Sequence, residues 1–203
     1  MENDNQASAL SLVDYSIFGR PCFGERVSGD QALIDEKDGI IFLGIIDALG
    51  HGKEAHQVSA LMQKFLHENW TFDVRKTLLN LHEHCKGTLG AAVGLGLLNV
   101  QTGELSYSGV GNTVIRLVGK QSKRLYSADG IVGSRMRTPV EQKLYLTPTD
   151  ILLMYTDGVK DRFEVNDYPQ LLYESPQALA RNIVRQFEKV YDDATCLVLR
   201  YKK

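Results

Sequence analysis

The sequence predicts an α+β fold, a layered sandwich of mainly antiparallel sheets covered by helices, and three observations carry that expectation. Strand-like runs stand near both ends of the chain, a pair of helical segments follows the early strands, and a β-rich stretch with glycine-centred turns fills the middle. The strict strand–helix alternation that a doubly wound parallel sheet needs is missing. With 203 residues, 43% of them apolar, the chain has material for one sizeable core, and no repeat or Pro/Ser linker marks a boundary. One domain over residues 1–203 is expected, with the first eight residues a flexible N-terminus.

Strands are expected at Ala9 to Ile17 and Gln31 to Asp35. After an Asp38-Gly39 turn comes the continuous apolar run Ile40 to Ile46, the pattern of a strand buried on both faces. A helix over Lys53 to Trp70 places Val58, Leu61, Met62, Phe65 and Leu66 on one stripe. The next helix has Asp73 as its N-cap, a stripe of Val74, Leu78, Leu81 and Cys85, and Gly87 as its C-terminal glycine. Thr88 to Val100, Glu104 to Gly109, Thr113 to Val118 and Ile151 to Thr156 read as strands, with turns at Thr102-Gly103 and Gly111-Asn112. A last helix starts at Ser175-Pro176 and buries Leu179, Ile183, Val184 and Phe187 before a closing strand, Ala194 to Tyr201. Lys120 to Arg124 read as a hairpin tip.

A formal charge of −2 leaves no electrostatic footprint for nucleic acid or an anionic membrane, so any anionic substrate must be held by local chemistry. Cys22, Cys85 and Cys196 are odd in number and lack metal-ligand spacing, which suits a reducing compartment. Met1 to Ala7 has no basic and apolar signal pattern, and Ala91 to Val100 is too short and glycine-rich to span a bilayer. A soluble cytoplasmic protein without nucleic-acid or membrane partners is expected.

Aspartates recur where apolar strand-like runs begin or end: Asp30 before one run, Asp47 after Ile46, Asp157 after Thr156, and Asp192 with Asp193 before the closing strand. Taken singly, each reads as a turn or cap residue. Brought to one edge, they would repel too strongly to stay ionised without cations between them, and oxygen-only ligands suit Mg²⁺ or Mn²⁺. Two such ions about 3.5–4 Å apart would acidify a shared water and clamp phosphoryl oxygens for in-line attack. No side-chain nucleophile is then needed, in keeping with the lack of a G-x-S-x-G elbow, a cysteine phosphate loop or a P-loop lysine.

The segments Ser28-Gly29-Asp30, Asp47-Ala48-Leu49-Gly50-His51-Gly52, Tyr155-Thr156-Asp157-Gly158 and Asp192-Asp193-Ala194-Thr195 resemble, in order, the motifs of the PPM metal-dependent protein phosphatases. The likeness spans roughly residues 10–200 and is strongest to the bacterial SpoIIE, RsbU and RsbX branch, above all the stand-alone RsbX type of stressosome signalling. It implies a four-layer αββα sandwich without a flap subdomain and a serine/threonine protein phosphatase that uses two Mn²⁺ or Mg²⁺ ions. Asp47, the backbone carbonyl of Ala48, Asp157 and Asp192 would be the metal ligands, with Asp47 bridging, and Asp30 would orient water. The implied substrates are phosphoserine or phosphothreonine on STAS-domain regulators.

The pattern departs from the family at Ala48, where glycine is usual, and at Leu49, where many eukaryotic members carry histidine. If position 48 needed positive φ, its Cβ would add strain of about 1–2 kcal/mol. That possibility keeps a second reading open, a weak or inactive module that recognises a STAS-like partner. His51 is a candidate for proton transfer and Arg26, ahead of Arg20, for phosphate binding, each weighed against a packing or solvated role. Asp193 reads as a turn or supporting residue rather than a ligand.

Overall fold

Side-chain alternation along the strands sorts the apolar residues onto both faces of two sheets. The computed structural model describes residues 8–119, 122–160 and 168–203. Among them the chain forms a 3-10 turn (Ala9–Leu12), β1 (Val13–Arg20), β2 (Asp30–Lys37), β3 (Ile40–Ala48), α1 (Gly52–Asn69), α2 (Val74–His84) and β4 (Ala91–Asn99). It continues through β5 (Glu104–Val110), β6 (Val114–Val118), β7 (Lys123–Leu125), β8 (Gln142–Tyr145), β9 (Ile151–Tyr155), a further 3-10 turn (Pro169–Tyr173), α3 (Pro176–Phe187) and β10 (Ala194–Tyr201). One sheet has the order β1-β10-β9-β6-β7 and the other β2-β3-β4-β5-β8, with neighbouring strands antiparallel.

Three apolar layers hold these elements as an αββα sandwich. Ile41, Leu43 and Ile45 of β3 meet Leu152 and Met154 of β9 and Leu197 and Leu199 of β10 between the sheets. The alternate residues Phe42 and Ile46 face Met62, Leu66, Leu78 and Leu81 of α1 and α2. On the far side, Leu153, Tyr155, Cys196 and Val198 pack against Leu179, Ile183 and Val184 of α3. The run Ile40 to Ile46 is therefore apolar throughout because both of its faces are covered, as its sequence predicts.

Local chemistry sets several boundaries. Lys37 pairs with Ile40 across a two-residue loop in which Asp38 (φ 51°) and Gly39 (φ 76°) are both left-handed, the twist that suits a tight hairpin. Asp73 accepts the Lys76 amide at 2.9 Å, and Ser175 accepts the Ala178 amide at 3.3 Å, so both expected N-caps form. Residues 126–141, between β7 and β8, run along β4 and β5 through isolated bridges such as Ala91 to Val132 and Val110 to Ala128, and form no separate subdomain among the described residues.

The structure corrects some expected boundaries. Ala9 to Leu12 is a 3-10 turn rather than the start of a strand, because the Glu36 carboxylate accepts the amides of Ala9 and Leu10. Leu61 is 39% exposed and lies off the buried stripe of α1, whereas Val58, Met62 and Leu66 lie on it. The short edge strands β7 and β8 go beyond the expected set. Of the expected flexible N-terminus, residues 1–7 lie outside the described residues, while Ser8 donates to Glu36. Residues 120–121 of the expected hairpin tip also lie outside them, and Lys123 and Arg124 belong to β7.

Candidate metal centre

Strand register brings the first two acids together. Asp30 opens β2 and is the direct cross-strand partner of Asp47, the penultimate residue of β3. From the opposite sheet, Thr156 and Asp157 follow β9, and Asp192 and Asp193 precede β10. The amides of Thr156 and Thr195 tie these two strand ends to each other, the first to the Thr195 carbonyl and the second to Oγ1 of Thr156, both at 3.0 Å. The same Oγ1 donates to Oδ2 of Asp30 at 2.7 Å and so crosses from one sheet to the other.

Around this seam the carboxylates feel one another. Burial, then the charges of Asp157 and Asp192, raise the Asp47 pKa to about 7 against the opposing pull of the Asp157 amide. Asp30 is 4% exposed, and burial, then the charge of Asp47, drive its pKa well above the usual range against the opposing Thr156 hydrogen bond. Asp192 is raised as well, by burial first and then by Asp157, whose carboxyl group is within hydrogen-bond reach. The balancing contacts are slight: Lys189 Nζ lies 3.6 Å from Oδ2 of Asp157, and Asn112 Nδ2 donates to the same oxygen at 2.8 Å. Such a set of crowded, partly buried carboxylate oxygens fits hard divalent cations.

Asp193 does different work. Its Oδ1 accepts the Cys22 amide and its Oδ2 the Gly29 amide, both at 2.8 Å, and its residue is 3% exposed. Both oxygens are thus engaged by the loop joining β1 to β2, as the supporting role read from the sequence requires. Gly158 is demanded by the same packing, since a Cβ there would lie 1.7 Å from the Asp193 carbonyl oxygen.

Ala48 is 2% exposed and is not among the positive-φ residues, which outside glycine are Asp38 and Thr149 among the described residues. The backbone strain considered for this departure from the family pattern is therefore missing. Positive φ falls instead on Gly50 (85°) and Gly52 (72°), which turn the chain from β3 into α1.

The basic candidates separate clearly. Arg20 is fully engaged: Nε meets the Glu188 carboxylate, Nη1 donates to the Pro21 and Asp192 carbonyls, and Nη2 donates to the Lys189 carbonyl. It fastens the segment carrying Asp192 to the end of β1, a positioning role that the sequence did not signal. Arg26 is exposed on the β1–β2 loop. His51 caps the start of α1 with its side chain 61% exposed and Nδ1 2.9 Å from Glu25 Oε1. Beside Asp157, a groove of about 620 Å³ is lined by Asn112, Val114, Arg124, Val159, Lys160 and Lys189.

Residues 37–202 match the family model described as stage II sporulation protein E (SpoIIE). No curated protein matches the sequence significantly. A chain solved in work on the bacterial stressosome as a modular system for secondary-messenger signalling superposes with a TM-score of 0.86 at 23% identity, over 93% of this chain and 99% of that one. RsbX in complex with magnesium gives 0.80 at 16% identity, over 94% and 96% of the two chains. The PP2C phosphatase domain of SpoIIE from Bacillus subtilis, with a fragment of its regulatory domain, gives 0.73 at 20% identity, over 94% and 62%.

Proposed function

The chain belongs to the SpoIIE family of PP2C-type, metal-dependent serine/threonine protein phosphatases, and from that premise we propose that it dephosphorylates STAS-domain signalling regulators of the stressosome or anti-sigma-factor-antagonist type. The observation that carries the reading is the meeting of Asp30, Asp47, Asp157 and Asp192 at the seam of the two sheets.

In this reading Asp47, the Ala48 carbonyl, Asp157 and Asp192 would hold two divalent cations, Mn²⁺ or Mg²⁺. When bound, the cations supply charge that offsets the acids, acidifies an attacking water and clamps phosphoryl oxygens. Asp30, held by Thr156, would accept a hydrogen bond from the attacking water and so orient it. Arg26, exposed on the β1–β2 loop, is the proposed partner of the incoming phosphate. The cationic groove with Lys160 and Lys189 suits an anionic protein segment next to the reacting centre. Stressosome and RsbX likenesses in fold support STAS-type substrates. The inactive-module reading drew on Ala48, which does not have positive φ, and cation binding by calorimetry separates the two readings.

The test is phosphate release from a phosphoserine STAS-domain protein by the chain supplied with Mn²⁺ or Mg²⁺. Turnover is expected, with Asp47→Asn and Asp157→Asn each losing about a hundredfold or more while keeping the wild-type circular dichroism. Failure to release phosphate with either cation, or near-normal rates in either variant, would overturn the proposal.

A further inference from the structure

A second cluster of metal-type ligands shares no side chain with the carboxylates that join the sheets. One ligand atom each from Cys22, Glu25 and His51 lies within 4.8 Å of the others. Two unconnected pieces of chain deliver them. The Glu25 amide donates to the Cys22 carbonyl at 3.1 Å, and Gly24 has φ 92°, so Cys22-Phe23-Gly24-Glu25 is a tight turn whose third position requires glycine. Such a turn sets its first and fourth side chains on one side, the arrangement that C-x₂-C turns use to grip zinc. His51 arrives from the cap of α1, and the glycine after it makes room: a Cβ on Gly52 would lie 2.7 Å from the Glu25 carboxylate.

We propose that Cys22, Glu25 and His51 form a binding site for one thiophilic divalent cation of the zinc class. Sulfur, imidazole nitrogen and carboxylate oxygen together form a donor set for zinc rather than for magnesium, whose ligands are oxygens. Tetrahedral bonds of about 2.0–2.3 Å put neighbouring ligand atoms about 3.5 Å apart, so the trio closes on an ion by small side-chain rotations. Access is through His51 and Glu25, whose side chains are 61% and 33% exposed, and water can take the fourth position. On binding, the zinc–sulfur bond forms as the thiol proton leaves to solvent, with no change of oxidation state. Burial and the nearby charges of Asp193, Glu25 and Asp192 hold the free thiol protonated, and a cation relieves that penalty. Occupancy would staple the β1–β2 loop to α1, and that loop grips Asp193 through the amides of Cys22 and Gly29.

The full chain is titrated with Co²⁺, then with Zn²⁺ against a chromophoric chelator. A near-ultraviolet thiolate-to-cobalt charge-transfer band is expected, and Zn²⁺ should abolish it. The band should be missing in Cys22→Ser and kept in Asp47→Asn, which separates this site from the carboxylate centre. Glu25→Gln and His51→Gln, at more exposed positions, should each weaken Zn²⁺ binding about 10–100-fold. Lack of the band in the wild type, its survival in Cys22→Ser, or unchanged affinity in both Glu25→Gln and His51→Gln would overturn the assignment.

Discussion

Oγ1 of Thr156 donates a 2.7 Å hydrogen bond to Oδ2 of Asp30, joining residues 126 positions apart that stand in opposite sheets. The hydroxyl also accepts the Thr195 amide, so its removal orphans two buried groups at once. Thr156→Val keeps the shape but loses the donor. A loss of about 1–3 kcal/mol in urea unfolding is expected, together with a fall in phosphatase rate, and Thr156→Ser should recover most of both.

Gly158 has no room for a side chain. Because a Cβ would lie 1.7 Å from the Asp193 carbonyl oxygen, Gly158→Ala must push apart the two backbones that carry Asp157 and Asp192. A lower urea midpoint at unchanged slope is expected, equivalent to about 1–3 kcal/mol, along with weaker divalent-cation binding by calorimetry.

Asp193 secures the β1–β2 loop with two charge-assisted bonds to buried amides. Asp193→Ala should cost about 2–5 kcal/mol, because the Cys22 and Gly29 amides lose their acceptor in a closed environment. Hydrogen exchange at those two amides checks the assignment: both should lose protection in the variant.

Without cations the carboxylate centre is a pH-dependent weakness. Asp47 has a folded-state pKa of about 7 against an ordinary 3.8, so its favourable contribution is complete below about pH 4 and is lost as pH rises through 7. The raised values of Asp30 and Asp192 act in the same direction. In EDTA the melting temperature should therefore decline between pH 5 and pH 8, less steeply in Asp47→Asn. Millimolar Mn²⁺ or Mg²⁺ should restore it most at the higher pH, and an equally steep decline in Asp47→Asn would contradict this account.

Much of the architecture is legible wherever burial is two-sided or a cap is chemical. The run Ile40 to Ile46, the caps Asp73 and Ser175, and the strand Ala194 to Tyr201 appear where the sequence puts them. What escapes depends on distant partners. Ala9 to Leu12 bends because Glu36 captures its amides, and β7 and β8 are strands of three and four residues whose polar sides face solvent at sheet edges. Leu61 has the spacing of a core residue, yet the layer beneath α1 does not reach it. At the site, the recurrence of aspartate at strand ends reveals the ligand candidates. The roles of Thr156 and Arg20 come from contacts that no local pattern encodes. The grouping of Cys22, Glu25 and His51 is hidden because one member lies in a different element, although Cys-x-Gly-Glu is itself a turn signature.

β10 follows every other described strand in sequence yet lies between β1 and β9, and Asp192 and Asp193 lead into it. The pairing of β1 with β10 and of β10 with β9 thus waits on the C-terminal strand. A chain clipped ahead of residue 192 would therefore leave β1 and β9 without the strand that joins them, so the five-stranded sheet closes only when the last residues arrive.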